Sequence, residues 1–489
     1  MTTVLAVIGV GLATACTGST PRQGRVDFAD ATGEVIAAGP DASAASVAAS
    51  AAGFESSPVV FLTGEASITN FSDDSMQSFL PLLVAGEGGV AAEIERLGAE
   101  TVVVPQESDL SEFTGDLEVV EVDPEASLED IEAALPSLTY DEERPSVTAL
   151  VDPSADPSAA ALAVEANVRA AGGRTLQVPG GDPRATAPIV DQLTAEQKDT
   201  TFIAAGETFG SQEQLAGRLE MALTAPQLPG GGVALFPGRR VVAMYGTPGV
   251  PGLGVLGEQG LEASIERVKE LAEGYDEFSE VPVVPGFEII TTVATSGAGP
   301  DGDYSNELDI ETLRPWVEAA GEAGVYVTLD LQPGRADFLS QAKRYEDLLA
   351  QPHVGLALDP EWRLEPGQVP LAQIGSVDAA EINETADWLA ALTHEHHLPQ
   401  KALVLHQFRL HMIDDREQID TSHEELAIIL HADGHGIPKH KMETWSAIQQ
   451  DLPDGVWMAW KNFYDEDTPM FTPEETFALE PRPWFVSYQ

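Results

Sequence analysis

Two apolar runs of this chain close on a carboxylate: Val325-Tyr-Val-Thr-Leu-Asp330 and Val354-Gly-Leu-Ala-Leu-Asp359, the second continuing into Pro360-Glu361-Trp362. Carboxylates held close together repel, so one stays protonated while its neighbour ionises, the condition for general acid, base or nucleophilic work. Asp330, Asp359 and Glu361 are therefore the candidate catalytic residues. Two later runs end on histidine, Leu403-Val-Leu-His406 and Ile428-Ile-Leu-His431, and Asp433 follows the second. An imidazole so placed can donate a proton, hydrogen-bond a substrate hydroxyl, or ligate a metal beside carboxylates. Trp460-Lys461, Trp362 and Tyr245 add rings and a cation that could contact a substrate. Each has a plainer role: an Asp can cap the next helix, a His can be satisfied without chemistry, and a Trp can be core.

These residues sit at the ends of eight strand-like runs: Arg240–Thr247, Val284–Ala294, Val325–Gln332, Val354–Asp359, Lys401–Phe408, Glu425–Ala432, Gly455–Phe463 and Pro483–Gln489. Helix-like segments alternate with them. Eight strand–helix units predict a closed parallel (β/α)8 TIM barrel over residues 236–489, whose active site belongs at the C-terminal strand ends. Period two places Thr328, Asp330 and Gln332 on one face of their strand and Val325, Val327 and Leu329 on the other. The glycine-rich loop Pro251-Gly-Leu-Gly-Val-Leu-Gly-Glu-Gln259 lacks a following Gly-Lys-Ser/Thr and does not fit the dinucleotide fingerprint, so it predicts close backbone approach to a ligand, or a tight first loop, rather than phosphate binding.

The preceding part reads as an open, doubly wound α/β domain over residues 57–235. Short apolar strands at Pro58–Leu62, Leu82–Ala85, Thr101–Val104, Ser146–Val151, Thr175–Val178 and Thr201–Ala205 alternate with helices such as Val90–Leu97 and Ala159–Ala171. Pro229-Gly-Gly-Gly232 and Pro237-Gly238 mark the boundary into the barrel. Residues 17–56 are rich in Ala, Gly, Ser, Thr and Asp with few large apolar residues, which predicts a flexible spacer.

The 489-residue chain carries 80 Asp and Glu against 25 Lys and Arg, a formal charge of −55. Such a surface repels nucleic acid, so none is expected as a partner. The single cysteine, Cys16, rules out a disulfide framework. It closes the apolar run Val4–Cys16, too short to span a bilayer permanently. Leu12-Ala-Thr-Ala-Cys16 resembles a bacterial lipobox. The resemblance implies a signal peptide over residues 1–16, lipidation of Cys16, and a lipid-tethered chain on the outer face of the cytoplasmic membrane or in the cell wall.

A second resemblance covers roughly 50 residues. Pro81-Leu-Leu-Val-Ala-Gly86, Val90-Ala-Ala-Glu-Ile-Glu-Arg-Leu-Gly-Ala99 and Thr101-Val-Val-Val104 are similar to a type 2 cell-wall-binding repeat, which places a strand, a helix ending in Leu-Gly and a valine-rich strand in this order. It implies attachment to wall polymers. The carboxylate-rich strand ends resemble the mouths of glycoside hydrolases in general.

Three functions are open at this level. The barrel hydrolyses a carbohydrate or wall polymer through Asp330, Asp359 and Glu361, with Tyr245, Trp362, His406, His431, Asp433, Trp460 and Lys461 binding substrate. Alternatively the chain binds the wall without cleaving it, or it is a metal-dependent hydrolase using His406 and His431. The first two call for no cofactor and no metal, and no motif demands one.

Overall fold

A computed structural model describes residues 23–123, 126–196 and 198–489, together with a backbone pairing at Ala6–Val7. Cys16 lies outside the described residues. The chain divides into two compact units, one of residues 1–183 and 191–219, the other of residues 184–190 and 220–489.

The first unit is a mixed α/β fold. One parallel sheet joins Glu118–Val122, Thr101–Pro105, Val59–Thr63 and Leu82–Val84 in that spatial order. A second parallel sheet orders Arg174–Gln177, Val147–Val151, Thr201–Ala204 and Val35–Ala37. Every predicted strand of this region and both named helices form, within a residue or two of their expected ends.

The expected spacer is a correction. Residues 23–56 contribute strands Gln23–Phe28, Val35–Ala37 and Phe54–Ser56 and helix Ala42–Gly53. Ala42, Ala45 and Ala49 of that helix are buried, with Val26, Phe28 and Phe54, in the core of this unit. Small side chains here permit close approach. A Cβ on Gly53 would stand 2.9 Å from the Ala171 Cβ, and one on Gly88 2.3 Å from the Ala44 nitrogen. Sparse large apolar residues thus signify tight packing, not a lack of it.

The second unit is a closed barrel of eight parallel strands: β1 Arg240–Gly246, β2 Val283–Ala294, β3 Tyr326–Leu331, β4 Val354–Leu358, β5 Lys401–Gln407, β6 Leu426–Ala432, β7 Trp457–Asn462 and β8 Phe485–Tyr488. Neighbours in sequence pair throughout, and β1 pairs with both β2 and β8 to close the ring. Helices Leu261–Glu273, Ile310–Glu322, Phe338–Arg344, Ala379–Glu395, Pro438–Ile448 and Pro473–Phe477 fill six of the seven connections. The β5–β6 connection carries only 3-10 turns and the short strand Ile413–Asp414 instead of the expected helix. Asp415 in the left-handed region, at φ 53°, interrupts it.

Period two divides the strand residues. Met244, Ile289, Leu329, Leu356, Leu405, Leu430 and Trp460 point outward and pack with helix residues such as Val268, Leu313 and Leu389. Ala243, Ala357, Ala402, Val404, Ala427, Ile429 and Ala459 point inward. The floor of the barrel is closed by Leu228, Leu235 and Phe236, packed against Val241, Val284, Tyr326 and Phe485. The Pro-Gly stretch expected as a domain boundary therefore belongs to the barrel's own core. Arg239 holds it in place by donating to the carbonyls of Pro229, Gly231 and Ala234.

Candidate active site at the barrel mouth

Above the small inward residues the same parity turns polar. Tyr245 follows Ala243 on β1, Glu288 follows Gly286 on β2, and Asp330 follows Thr328 on β3. His406 and His431 pair in register at the ends of β5 and β6, and Lys461 pairs with Ser487 across β7 and β8. Asp359 ends β4. Its carboxylate accepts the Glu361 backbone N–H at 3.1 Å, so it caps the turn Pro360–Trp362 while facing the barrel mouth.

A cavity of about 520 Å³ opens over this layer. Tyr245, Asp359, Glu361, Trp362, Asp433 and Lys461 line it, as the sequence predicts. Gln332, Phe408, Arg409, His435 and Phe463 complete much of its wall. Leu253, from the glycine-rich loop, reaches it as well. Gly254 in that loop adopts φ +136°, and a Cβ there would come 2.5 Å from the Tyr245 carbonyl oxygen. The glycine is required for close approach of loop to strand.

Asp330, His406 and His431 are fully buried and do not line the cavity. They form its foundation together with Glu288, which the sequence reading missed. His406 Nε2 meets Glu288 Oε1 at 2.9 Å, and its Nδ1 meets Asp433 Oδ2 at 3.0 Å. Asp330 Oδ1 stands 3.9 Å from the same Nε2, and Asp330 Oδ2 accepts the Tyr245 hydroxyl at 2.8 Å. His431 Nε2 lies 3.0 Å from the Ser487 hydroxyl.

These contacts sort the protonation states. Burial alone would lower His406, but Glu288 and Asp433 outweigh it and hold the imidazole well above its ordinary range, as imidazolium. Burial would raise Glu288, yet the adjacent His406 charge pulls it down to about 2. Asp433 is likewise lowered: burial works upward, and the hydrogen bond and charge of His406 overcome it. His431 is pushed down to about 3, mainly by burial, and stays neutral. Burial raises Asp330 to about 6 and Glu361 to about 7, the latter with help from the Asp433 charge. Asp359 is raised well above the carboxylate range, again chiefly by burial. Neutral acids and an ionised carboxylate thus share one cavity.

Trp460, expected at the mouth, faces the opposite way. It is buried between barrel and helices, stacked on Phe471 and edge-on to Trp445. Lys461 points inward, so parity sends the residue before it outward.

Five buried polar atoms of this foundation have no hydrogen-bond partner: Glu288 Oε2, Thr328 Oγ1, Asp330 Oδ1, His431 Nδ1 and Asp433 Oδ1. Native interiors rarely leave such atoms unpaired, so their concentration singles out this layer as the candidate site. A metal fits the histidines poorly. Both ring nitrogens of His406 are taken by carboxylates. The groups of donor atoms that converge among the described residues, Asp387–Asp420–His423 and Asp301–Asp303–Glu307, include neither barrel histidine. Comparison with family models, with curated proteins and with solved structures gave no match.

Proposed function

We propose that the barrel hydrolyses a glycan or cell-wall polymer at its C-terminal mouth. One observation carries this reading. Glu361, raised to about 7, and Asp359, raised further, share a cavity with Asp433, which His406 keeps ionised. Environments that drive carboxyl groups apart in this way assign acid and base. Glu361 or Asp359 would protonate the leaving glycosidic oxygen. Asp433 would activate water or attack the anomeric carbon. Trp362 on the cavity wall offers a face for a sugar ring. Asp330 takes a positioning role in place of the catalytic one expected from sequence, since it reaches the cavity only through Tyr245. Glu361→Gln and Asp433→Asn, assayed on wall-derived oligosaccharides, test the reading: both should abolish cleavage while the fold persists. Full activity in both would sink it.

We infer further that the chain is an extracellular lipoprotein tethered through Cys16, and that its first unit contacts the wall. The lipobox-like run supports the anchor. The strand Leu82–Val84, helix Val90–Leu97 and strand Thr101–Pro105 supply the order of elements of a cell-wall-binding repeat. Metabolic labelling with an alkyne fatty acid, lost in Cys16→Ser, tests the anchor. Sedimentation with purified walls tests the attachment.

A further inference from the structure

Seven Lys and Arg side chains are buried among the described residues, and six of them donate to carbonyl or carboxylate oxygens. Lys401 reaches the Val354 carbonyl at 2.7 Å, and Lys441 reaches Asp467 Oδ2 at 2.8 Å. Lys461 is the exception. It is 3% exposed and lines the cavity. Its Nζ lies 3.5 Å from the centroid of the Tyr245 ring and 5.1 Å from that of Phe463, and among the described residues it makes no hydrogen bond and no ion pair. Ring faces attract the charge but leave the three N–H donors unused. An ammonium that faces a cavity and donates to no protein oxygen is free to donate to the oxygens of a bound ligand.

A second cation lines the same cavity. Arg409 is exposed and stands 5.6 Å over its neighbour Phe408, with no ion pair among the described residues. In a chain with 80 acidic and 25 basic residues, two cations without an ion pair lining one cavity set it apart from the acidic surface. Glu288 and Asp433 share the imidazolium of His406, at 2.9 and 3.0 Å, and neither forms an ion pair with Lys461 or Arg409. Burial favours the neutral forms of Asp359 and Glu361.

We propose that the molecule bound in this cavity carries an anionic group, a carboxylate or a phosphate, seated on Lys461 with Arg409 at the opening. This deepens the glycan reading above and rests on it. A uronic-acid unit and a phosphodiester polymer both offer this chemistry.

Calorimetric titration of the full chain with trigalacturonate, with a glycerol-phosphate oligomer and with neutral cellotriose tests the assignment. At least one anionic probe should bind about tenfold more tightly than cellotriose, the gain expected of one charge-assisted hydrogen bond. Which anion it is identifies the source. Lys461→Met should erase most of the preference, and Lys461→Arg should retain part of it. Should Lys461→Met not fold, Arg409→Gln at the exposed position serves in its place, with a severalfold loss for the anion alone. Equal binding of cellotriose and both anions overturns the assignment, as does an undiminished preference in Lys461→Met or Arg409→Gln. Cleavage of neutral oligosaccharides without anion preference removes this assignment and leaves the glycosidase. Anion-selective binding without cleavage supports it and removes the hydrolase.

Discussion

The imidazole of His406 and the carboxylate of Glu288 meet at 2.9 Å, and neither side chain is exposed to any degree. Without Glu288 the buried imidazolium keeps Asp433 at 3.0 Å but loses one charge-assisted hydrogen bond, a loss of about 1.5–3 kcal/mol. Glu288→Gln should therefore lower the unfolding free energy by an amount of that order, read from a shifted denaturant midpoint. A change of only a few tenths would mean that the imidazole is neutral.

Stability should depend on pH through the raised carboxyl groups. Asp330 moves from 3.8 to about 6 and Glu361 from 4.5 to about 7. The folded form then holds these protons more tightly than the unfolded chain. The stabilisation is complete below the unfolded values and is lost as pH rises through about 6 to 7. His431, lowered from 6.5 to about 3, acts in the opposite sense over part of this range. Melting temperature should fall from mildly acidic to neutral pH, and Asp330→Asn should flatten that slope.

Activity should show an acid requirement. If Glu361 delivers the proton, the rate declines as pH rises through about 7. Glu361→Gln should cost about 10²–10⁴-fold in kcat and remove that limb of the profile. An unchanged limb would transfer the role to Asp359.

The two tryptophans separate packing from recognition. Trp460→Ala should destabilise by about 3–5 kcal/mol, the usual cost of deleting a buried large ring. Trp362→Ala should leave stability nearly unchanged and raise KM severalfold, in line with the loss of one stacking contact of about 0.5–1.5 kcal/mol. The two effects are read by thermal melts and by steady-state kinetics.

How far the chain is legible follows from where its signals sit. The eight strands were readable because each is a short apolar run between helix-like or glycine-rich segments, and all eight form within two residues of expectation. Six of the expected residues line the cavity because they stand at or just beyond strand ends. Glu288 escaped because it lies in the middle of a twelve-residue strand, between Phe287 and Ile289. Its parity with Gly286, which faces inward, was the available signal. Trp460 was misread for the converse reason, since position along the strand was weighed above parity with Lys461. Arg409 comes from a connection, where periodicity gives no direction; Phe463 shares the parity of Lys461 at the end of the expected strand and was open to the same reading.

The inward-facing Leu235 and Phe236 precede the first barrel strand, so the barrel does not begin where its sheet begins. A chain cut at Arg240 would keep all eight strands and every residue of the mouth, yet its lower end would stand open to water around Tyr326 and Phe485. Exposure of such a surface favours aggregation over solubility. A transplantable barrel should therefore start upstream of Leu228.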